Sequence, residues 1–134
     1  MSATSRERIL IVEDEGAVAE VLRRRLVSWG FEVHTEATAQ RALGYVAEHE
    51  LDLVILDLRL PDRSGLQVCQ ELRKRFNRWD LPVLMLTGMD QPFDQLRGFA
   101  CGADAYLTKP YEPQELIKTI ALLLGEAAQA LPSF

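Results

Sequence analysis

Leu53-Val54-Ile55-Leu56-Asp57, running on into Leu58-Arg59-Leu60-Pro61, is the stretch on which the fold turns. An apolar run of this length, with no polar side chain before its last residue, predicts a strand over 53–57 that is covered on both faces. A carboxylate where such a strand ends sits on the rim of a rigid sheet. In an open α/β sheet that rim is where ligands bind. Asp also suits a helix N-cap or a turn, and taken alone Asp57 would favour those roles. Three other strand ends alter the balance.

To either side, short apolar runs alternate with helical patterns. Ile9-Leu10-Ile11-Val12 predicts a first strand. Val18, Val21, Leu22, Leu26 and Trp29 form one stripe of a helix from about Gly16 to Trp29, and Gly30 is its expected stop. Phe31 to Thr35 reads as a second, weaker strand. Thr38 is expected to cap a helix whose apolar face is Ala39, Ala42, Leu43, Val46 and Ala47. Beyond the loop from Leu58 to Ser64, a third helix carries Leu66, Cys69, Leu72 and Phe76. Pro82 precedes a fourth strand, Val83 to Thr87, and Pro92 opens a short helix through Ala100. Ala105-Tyr106-Leu107-Thr108 predicts the fifth strand. Pro113 opens the last helix, with Leu116, Ile117, Ile120, Leu123 and Leu124. Five strands alternating with five helices predict an α/β fold, a doubly wound parallel sheet with right-handed crossovers. The expected organisation is an N-terminal tail over 1–7, one domain over 8–125, and a segment over 126–134 that extends the last helix or begins a linker.

Composition narrows the function. At 134 residues one domain is expected, long enough to bury a core without staples. A net charge of −5 argues against a nucleic-acid surface. Arg23-Arg24-Arg25 shares a helix with Glu20, and Arg73-Lys74-Arg75 shares one with Glu71, so both basic clusters are expected to be solvated helix faces. Cys69 and Cys101 fall in apolar helical patterns with no metal-ligand spacing, which predicts reduced, partly buried thiols in a cytoplasmic protein. Met1 to Arg8 has no signal-peptide core, and no apolar run approaches membrane-spanning length.

Parallel strands put their carboxyl ends on one edge. There the first strand delivers Glu13-Asp14-Glu15, the third Asp57, the fourth Thr87-Gly88 and the fifth Lys109-Pro110. Crowded carboxylates need a counter-charge, which a hard divalent cation such as Mg²⁺ supplies through one or two protein carboxylates and several waters or phosphate oxygens. Acids after the first strand also suit a helix start, a role with real weight for Glu15 and little for Asp14. The same acids exclude a dinucleotide site, which needs a Gly-rich turn there. His34 and His49, the only histidines, fall at no carboxyl-end loop, so zinc and His-based catalysis are not expected.

The chain resembles a receiver domain of a two-component response regulator. The matching residues are Glu13-Asp14, Asp57-Leu58-Arg59-Leu60-Pro61 with Gly65 eight residues after Asp57, Leu86-Thr87-Gly88, and Gly102 through Pro110. Each is weak alone; all of them in this order, over about 8–125, are specific. The resemblance implies the chemotaxis-regulator type of fold, with strand order 2-1-3-4-5, which would bring Asp14 beside Asp57. It implies that Asp57 accepts a phosphoryl group from a sensor histidine kinase or phosphotransfer protein. The Mg²⁺ (or Mn²⁺) would be held by Asp14, Asp57 and the backbone carbonyl of Arg59, with Glu13 acting through water. Lys109 and Thr87 would each take a phosphoryl oxygen, and Gly88 would leave room for the group. Tyr106 would swing inward behind Thr87, and Lys109-Pro110 would be cis. The output would be a changed surface for a downstream protein or output domain, or for a homodimer through strand five and the last two helices, where Leu122 could be docking face or core. No direct nucleic-acid or membrane contact is implied, and by the same resemblance the domain would be a phosphoacceptor assisting its own phosphorylation and dephosphorylation, not an enzyme. Arg59 and Met89 depart from expectation at two positions bordering the path of the hydrolytic water, and should alter the lifetime of the aspartyl phosphate.

Two rivals are weak on local grounds. A haloacid-dehalogenase-type phosphatase needs a second Asp where Arg59 stands, and a flavin-binding module needs a Ser/Thr/Gly loop after the first strand. The serious alternative is a receiver that docks partners without phosphorylation. A stand-alone receiver and the receiver part of a longer transcription regulator or hybrid kinase both remain open on the sequence.

Overall fold

The alternation of side chains along the strands sorts the core into two halves. In the computed structural model, which describes residues 6–89 and 91–125, five strands form one parallel sheet. They are β1 (Arg8–Val12), β2 (Glu32–Glu36), β3 (Leu53–Leu56), β4 (Val83–Thr87) and β5 (Ala105–Thr108). Their order is β2-β1-β3-β4-β5, as the resemblance implied. The helices are α1 (Gly16–Ser28), α2 (Ala39–Glu48), α3 (Gly65–Arg75), α4 (Pro92–Ala100) and α5 (Pro113–Leu123). Leu10, Val12, Val54, Leu56, Val83 and Met85 turn to one face and meet Ala42 and Val46 of α2 and Cys69 and Leu72 of α3. Ile9, Ile11, Leu53, Ile55, Leu84, Leu86 and Leu107 turn to the other, against Leu22 and Leu26 of α1 and Leu116 and Ile120 of α5. Each such side chain contributes about 1.5–3 kcal/mol when fully buried. The central strands β1, β3 and β4 are covered on both faces, which is why they read as unbroken apolar runs.

Local signals hold in most places. Thr38 caps α2 by accepting from the Arg41 N–H, Pro92 and Pro113 open their helices, and Gly30 ends α1 with a positive φ. Other expectations need correction. β3 stops at Leu56, so Asp57 is the first residue of the following loop, held by its N–H to the Val12 carbonyl at 3.1 Å. β2 is shifted by one, to Glu32–Glu36. In α1 it is Ala19 that faces the core; Val21 is 57% exposed, because a stripe chosen by hydrophobicity alone took the larger of two residues that lie two positions apart. Ala47 of α2 is exposed.

Arg73 is not on a solvated face. Its guanidinium reaches from α3 to the Asp104 carboxylate at 2.6 Å, the Leu81 carbonyl at 2.7 Å and the Gly102 carbonyl at 2.8 Å. Asp104, nearly buried, also accepts from the Val83 N–H at 2.8 Å. This clamp ties α3, the start of β4 and the turn after α4 together at the edge opposite the carboxyl ends. In the same helix, Lys74 pairs with Glu71 on the surface as expected. Of α4 itself, only Gly98 is buried, whereas the other helices each bury three or more residues. The expected segments 1–7 and 126–134 fall largely or wholly outside the described residues.

Candidate functional site

The register explains why four strand ends meet. β1 and β3 are neighbours, with Val12 level with Leu56, so Glu13-Asp14 and Asp57 leave the sheet side by side. Thr87, the last residue of β4, pairs with Thr108 of β5, so Lys109 emerges one residue further on. Asp14, Glu15, Asp57, Arg59, Thr87, Gly88, Met89 and Lys109 line one open cleft of about 470 Å³, closed at the side by Leu60 and Pro61.

Asp57 is the centre of the arrangement. Its Oδ1 accepts from the Thr87 hydroxyl at 2.7 Å and from the Arg59 N–H at 3.1 Å. Its Oδ2 accepts from the Lys109 ammonium at 3.0 Å. Burial opposes ionisation of this carboxyl, but the Thr87 hydroxyl, the Arg59 N–H and Lys109 outweigh it and hold the group below its ordinary range. Burial also opposes the charge on Lys109, and the two carboxylates it touches reverse that and raise it. The second carboxylate is Glu13, a direct hydrogen-bond partner of Lys109. Burial pushes the Glu13 carboxyl up, and its bonds to Lys109 and the Glu15 N–H offset this only in part. Asp57 is therefore the acid that stays ionised, and Glu13 protonates first as pH falls.

Gly65 is matched by sequence alone, but its reason is geometric. A Cβ on Gly65 would lie 2.1 Å from the Asp57 carbonyl oxygen and 2.9 Å from the Leu58 Cα, because the first turn of α3 presses against the chain leaving β3. The Gly65 N–H bonds the Leu58 carbonyl at 2.8 Å. Ser64 and Gln67 form a capping box at this helix start, and Arg59 bridges to Ser64 across the loop. Asp57 thus sits on a backbone fixed from both sides.

The remaining expected residues fall around this centre. Gly88 is exposed in the cleft, and an added Cβ there would meet no protein atom, so the space it leaves open belongs to the cleft. The Met89 N–H points at the Thr87 hydroxyl at 3.4 Å. Tyr106 lies with its ring against Gly98 of α4, and its hydroxyl donates to the Met89 carbonyl at 2.5 Å, a link between β5 and the loop after Thr87 that the sequence reading missed. The Lys109-Pro110 bond is cis. Among the described residues no three His, Cys, Asp or Glu side chains converge as a metal cage. Mg²⁺ needs no such cage, since one or two carboxylates and waters suffice. The donor set of Asp14, Asp57 and the Arg59 backbone, facing one polar cleft, fits that requirement. His34 and His49 stack on either side of Tyr45 at 3.8 Å and take no part in the cleft.

Comparison with known proteins agrees with this geometry. A family model described as response regulator receiver domain matches residues 9–121. The "Probable transcriptional regulator ycf27" of Cyanidium caldarium is 39% identical over 116 residues, which cover 87% of this chain and 45% of that protein. The chain therefore spans about half the length of this curated relative. A CheY-like response regulator receiver domain protein from Methanospirillum hungatei superposes with a TM-score of 0.85 at 30% identity, covering 93% of this chain and 98% of that one. The BeF3-activated N-terminal receiver domain of RstA from Klebsiella pneumoniae does so at 0.84 and 29% identity, covering 88% and 98%. With five strands in the order found here and an aspartate centred among an acid, a hydroxyl and an ammonium, the chain belongs to the response regulator receiver family of two-component signalling.

Proposed function

We propose that this receiver is switched by phosphorylation of Asp57, in a reaction that needs Mg²⁺ or Mn²⁺. The observation that carries the proposal is the ring of donors around one ionised carboxylate: Thr87 Oγ1, Arg59 N and Lys109 Nζ, all within 2.7–3.1 Å, at the floor of an open cleft. An Asp57 oxygen attacks the phosphorus of a phosphohistidine on a partner kinase or phosphotransfer protein. A P–O bond forms as the P–N bond breaks, and the imidazole leaves with the electron pair. Such transfer depends on positioning and charge stabilisation more than on covalent assistance. A divalent cation held by Asp14, Asp57 and the Arg59 carbonyl, with Glu13 acting through water, would offset the charge of anion meeting anion. Lys109 and the Thr87 hydroxyl then each take a phosphoryl oxygen, and Gly88 leaves room for the group. The domain assists its own phosphorylation and dephosphorylation and acts on no other substrate.

The signal leaves through Thr87, Met89 and Tyr106. A Thr87 hydroxyl recruited to the phosphoryl group withdraws from Asp57 Oδ1, and the Met89 loop, held by the Tyr106 hydroxyl, follows it. Tyr106 then turns further inward, and α4 shifts with it. Phe93 and Leu96 on α4 and Leu122 on α5 are apolar and 55–66% exposed, which favours this face for a downstream protein, an output domain or a second copy of the chain. The name of the curated relative supports an output in transcription, carried by a longer regulator. No helix among the described residues is long and apolar enough to cross a membrane, and a cytoplasmic setting fits the kinase partner.

Incubation with Mg²⁺ and acetyl phosphate, followed by intact-mass measurement, tests the proposal. One added phosphoryl group, absent without Mg²⁺ and absent in Asp57→Asn, is the expected result. An unmodified wild-type chain, or a phosphorylated Asp57→Asn, refutes it.

A further inference from the structure

The loop between β3 and α3 is tied to a helix that has no part in the cleft. The Asp62 carboxylate reaches across to the start of α2, where Oδ1 accepts from the Ala39 N–H and Oδ2 from the Gln40 N–H, each at 2.9 Å. The first N–H groups of a helix have no partner within it. Here Thr38 takes the Arg41 N–H with its side chain and the Ala42 N–H with its carbonyl. The two left over are supplied by a residue 22–23 positions further along the chain. Asp62 therefore completes a cap that Thr38 only half fills, and its negative charge suits the positive end of the helix dipole. Its carboxyl is held below the ordinary range chiefly by these two N–H groups.

The tie matters because of what the same loop carries. Arg59, Leu60 and Pro61 wall the cleft, and Asp62 follows directly. At its other end the loop is fixed by the Arg59–Ser64 bridge and the Gly65–Leu58 hydrogen bond. No atom of Asp62 lines the cleft, so its part is played through the backbone. We infer that Asp62 is a positioning residue for the cation site: by anchoring the loop to the N-terminus of α2, it holds the Arg59 carbonyl where a divalent ion needs its ligand. This rests on the reading of Asp57 and Arg59 given above. Outer contacts that orient metal ligands commonly change affinity by about 10–100-fold when lost.

Three chains test this: wild type, Asp62→Ala, and Asp62→Asn, which keeps one acceptor oxygen but no charge. Mg²⁺ alone is titrated by calorimetry at about 0.5 M salt, which screens simple attraction to a distant acid. Amide exchange at Ala39 and Gln40 is followed by NMR, and phosphorylation is read by intact mass at low and saturating Mg²⁺. In Asp62→Ala both amides exchange faster, Mg²⁺ binds about tenfold more weakly, and saturating Mg²⁺ restores phosphorylation. Asp62→Asn falls between. Faster exchange with unchanged Mg²⁺ affinity makes Asp62 a helix cap only and overturns the inference. Unchanged exchange overturns it too. A wild-type chain that takes neither Mg²⁺ nor a phosphoryl group refutes the Asp57 reading and this one together, whereas wild-type binding left unaltered by Asp62→Ala refutes this one alone.

Discussion

Replacing Gly65 with alanine adds one methyl group where the structure has no room for it. The new carbon would stand 2.1 Å from the Asp57 carbonyl oxygen, against about 3.3 Å for an ordinary close carbon–oxygen contact. Both colliding partners, Asp57 O and Leu58 Cα, are backbone, so no side-chain rotation relieves the clash. The first turn of α3 must withdraw by about 1 Å, which breaks or stretches the Gly65–Leu58 hydrogen bond. Overpacking of this kind costs about 1–3 kcal/mol, and the lost bond adds about 0.5–1.5 kcal/mol. The expected total of about 2–4 kcal/mol leaves most domains folded. With a slope of about 1–3 kcal/mol per molar urea, the midpoint should fall by about 1–2 M. Gly44→Ala is the control: it lies inside α2 with nothing within 4 Å of the added carbon, and should stabilise by up to about 1 kcal/mol. A Gly65→Ala midpoint within about 0.2 M of wild type would show that α3 is not pressed against the acceptor's backbone.

Other perturbations probe the charges. Lys109→Met removes the ammonium that bridges Glu13 and Asp57 and should destabilise by about 1–3 kcal/mol, less than a fully buried pair because the cleft is open; Mg²⁺ should recover part of the loss, and a thermal midpoint indifferent to Mg²⁺ in this variant counts against a shared cation site. Because the Asp57 carboxyl is held below its ordinary value, its stabilisation is full above the unfolded value of about 3.9 and disappears as pH falls through the folded one. Between pH 5 and 3, wild type should therefore lose stability more steeply than Asp57→Asn, and parallel curves would contradict the assignment. Arg59→Ala should change the lifetime of the aspartyl phosphate, measured by its decay after removal of the phosphodonor; an unchanged rate eliminates this residue from the water's path. Arg73→Ala leaves the Asp104 carboxylate only the Val83 N–H and the Arg78 guanidinium at 3.4 Å, and should cost about 1.5–3 kcal/mol in urea unfolding while leaving phosphorylation intact; loss of phosphorylation in a folded variant would mean the clamp reaches the cleft.

Much of this was legible because burial is uniform along the central strands. Leu53 to Leu56 and Val83 to Leu86 are covered on both faces, so composition alone marked them. The site was legible for a related reason: parallel strands deliver their last residues to one edge, so Asp57, Thr87 and Lys109 needed only correct strand ends. What escaped depends on distances that no local pattern encodes. Arg73 looks like any basic helix residue until Asp104, 31 positions away, is seen beneath it. The Asp62 cap spans a comparable gap. The hydroxyl of Tyr106 finds a carbonyl on a neighbouring strand's loop. Val21 failed for a different reason: three residues after Val18 it fits the period as well as Ala19 does three before Leu22, and only packing chooses between Val21 and Ala19.

Helix α4 gives the core little more than Gly98 and is bolted down near its far end through Gly102, Asp104 and Arg73. The helix is therefore close to a label attached to a machine. The outward letters Phe93 and Leu96, 65% and 66% exposed, can be rewritten with little effect on the core, whereas Phe99 meets the Tyr106 ring at 6.4 Å and belongs to the link toward the Met89 loop. If α4 is the docking face proposed above, recognition of a partner and the chemistry proposed for Asp57 are set by largely different residues, and changing the listener does not require rebuilding the switch.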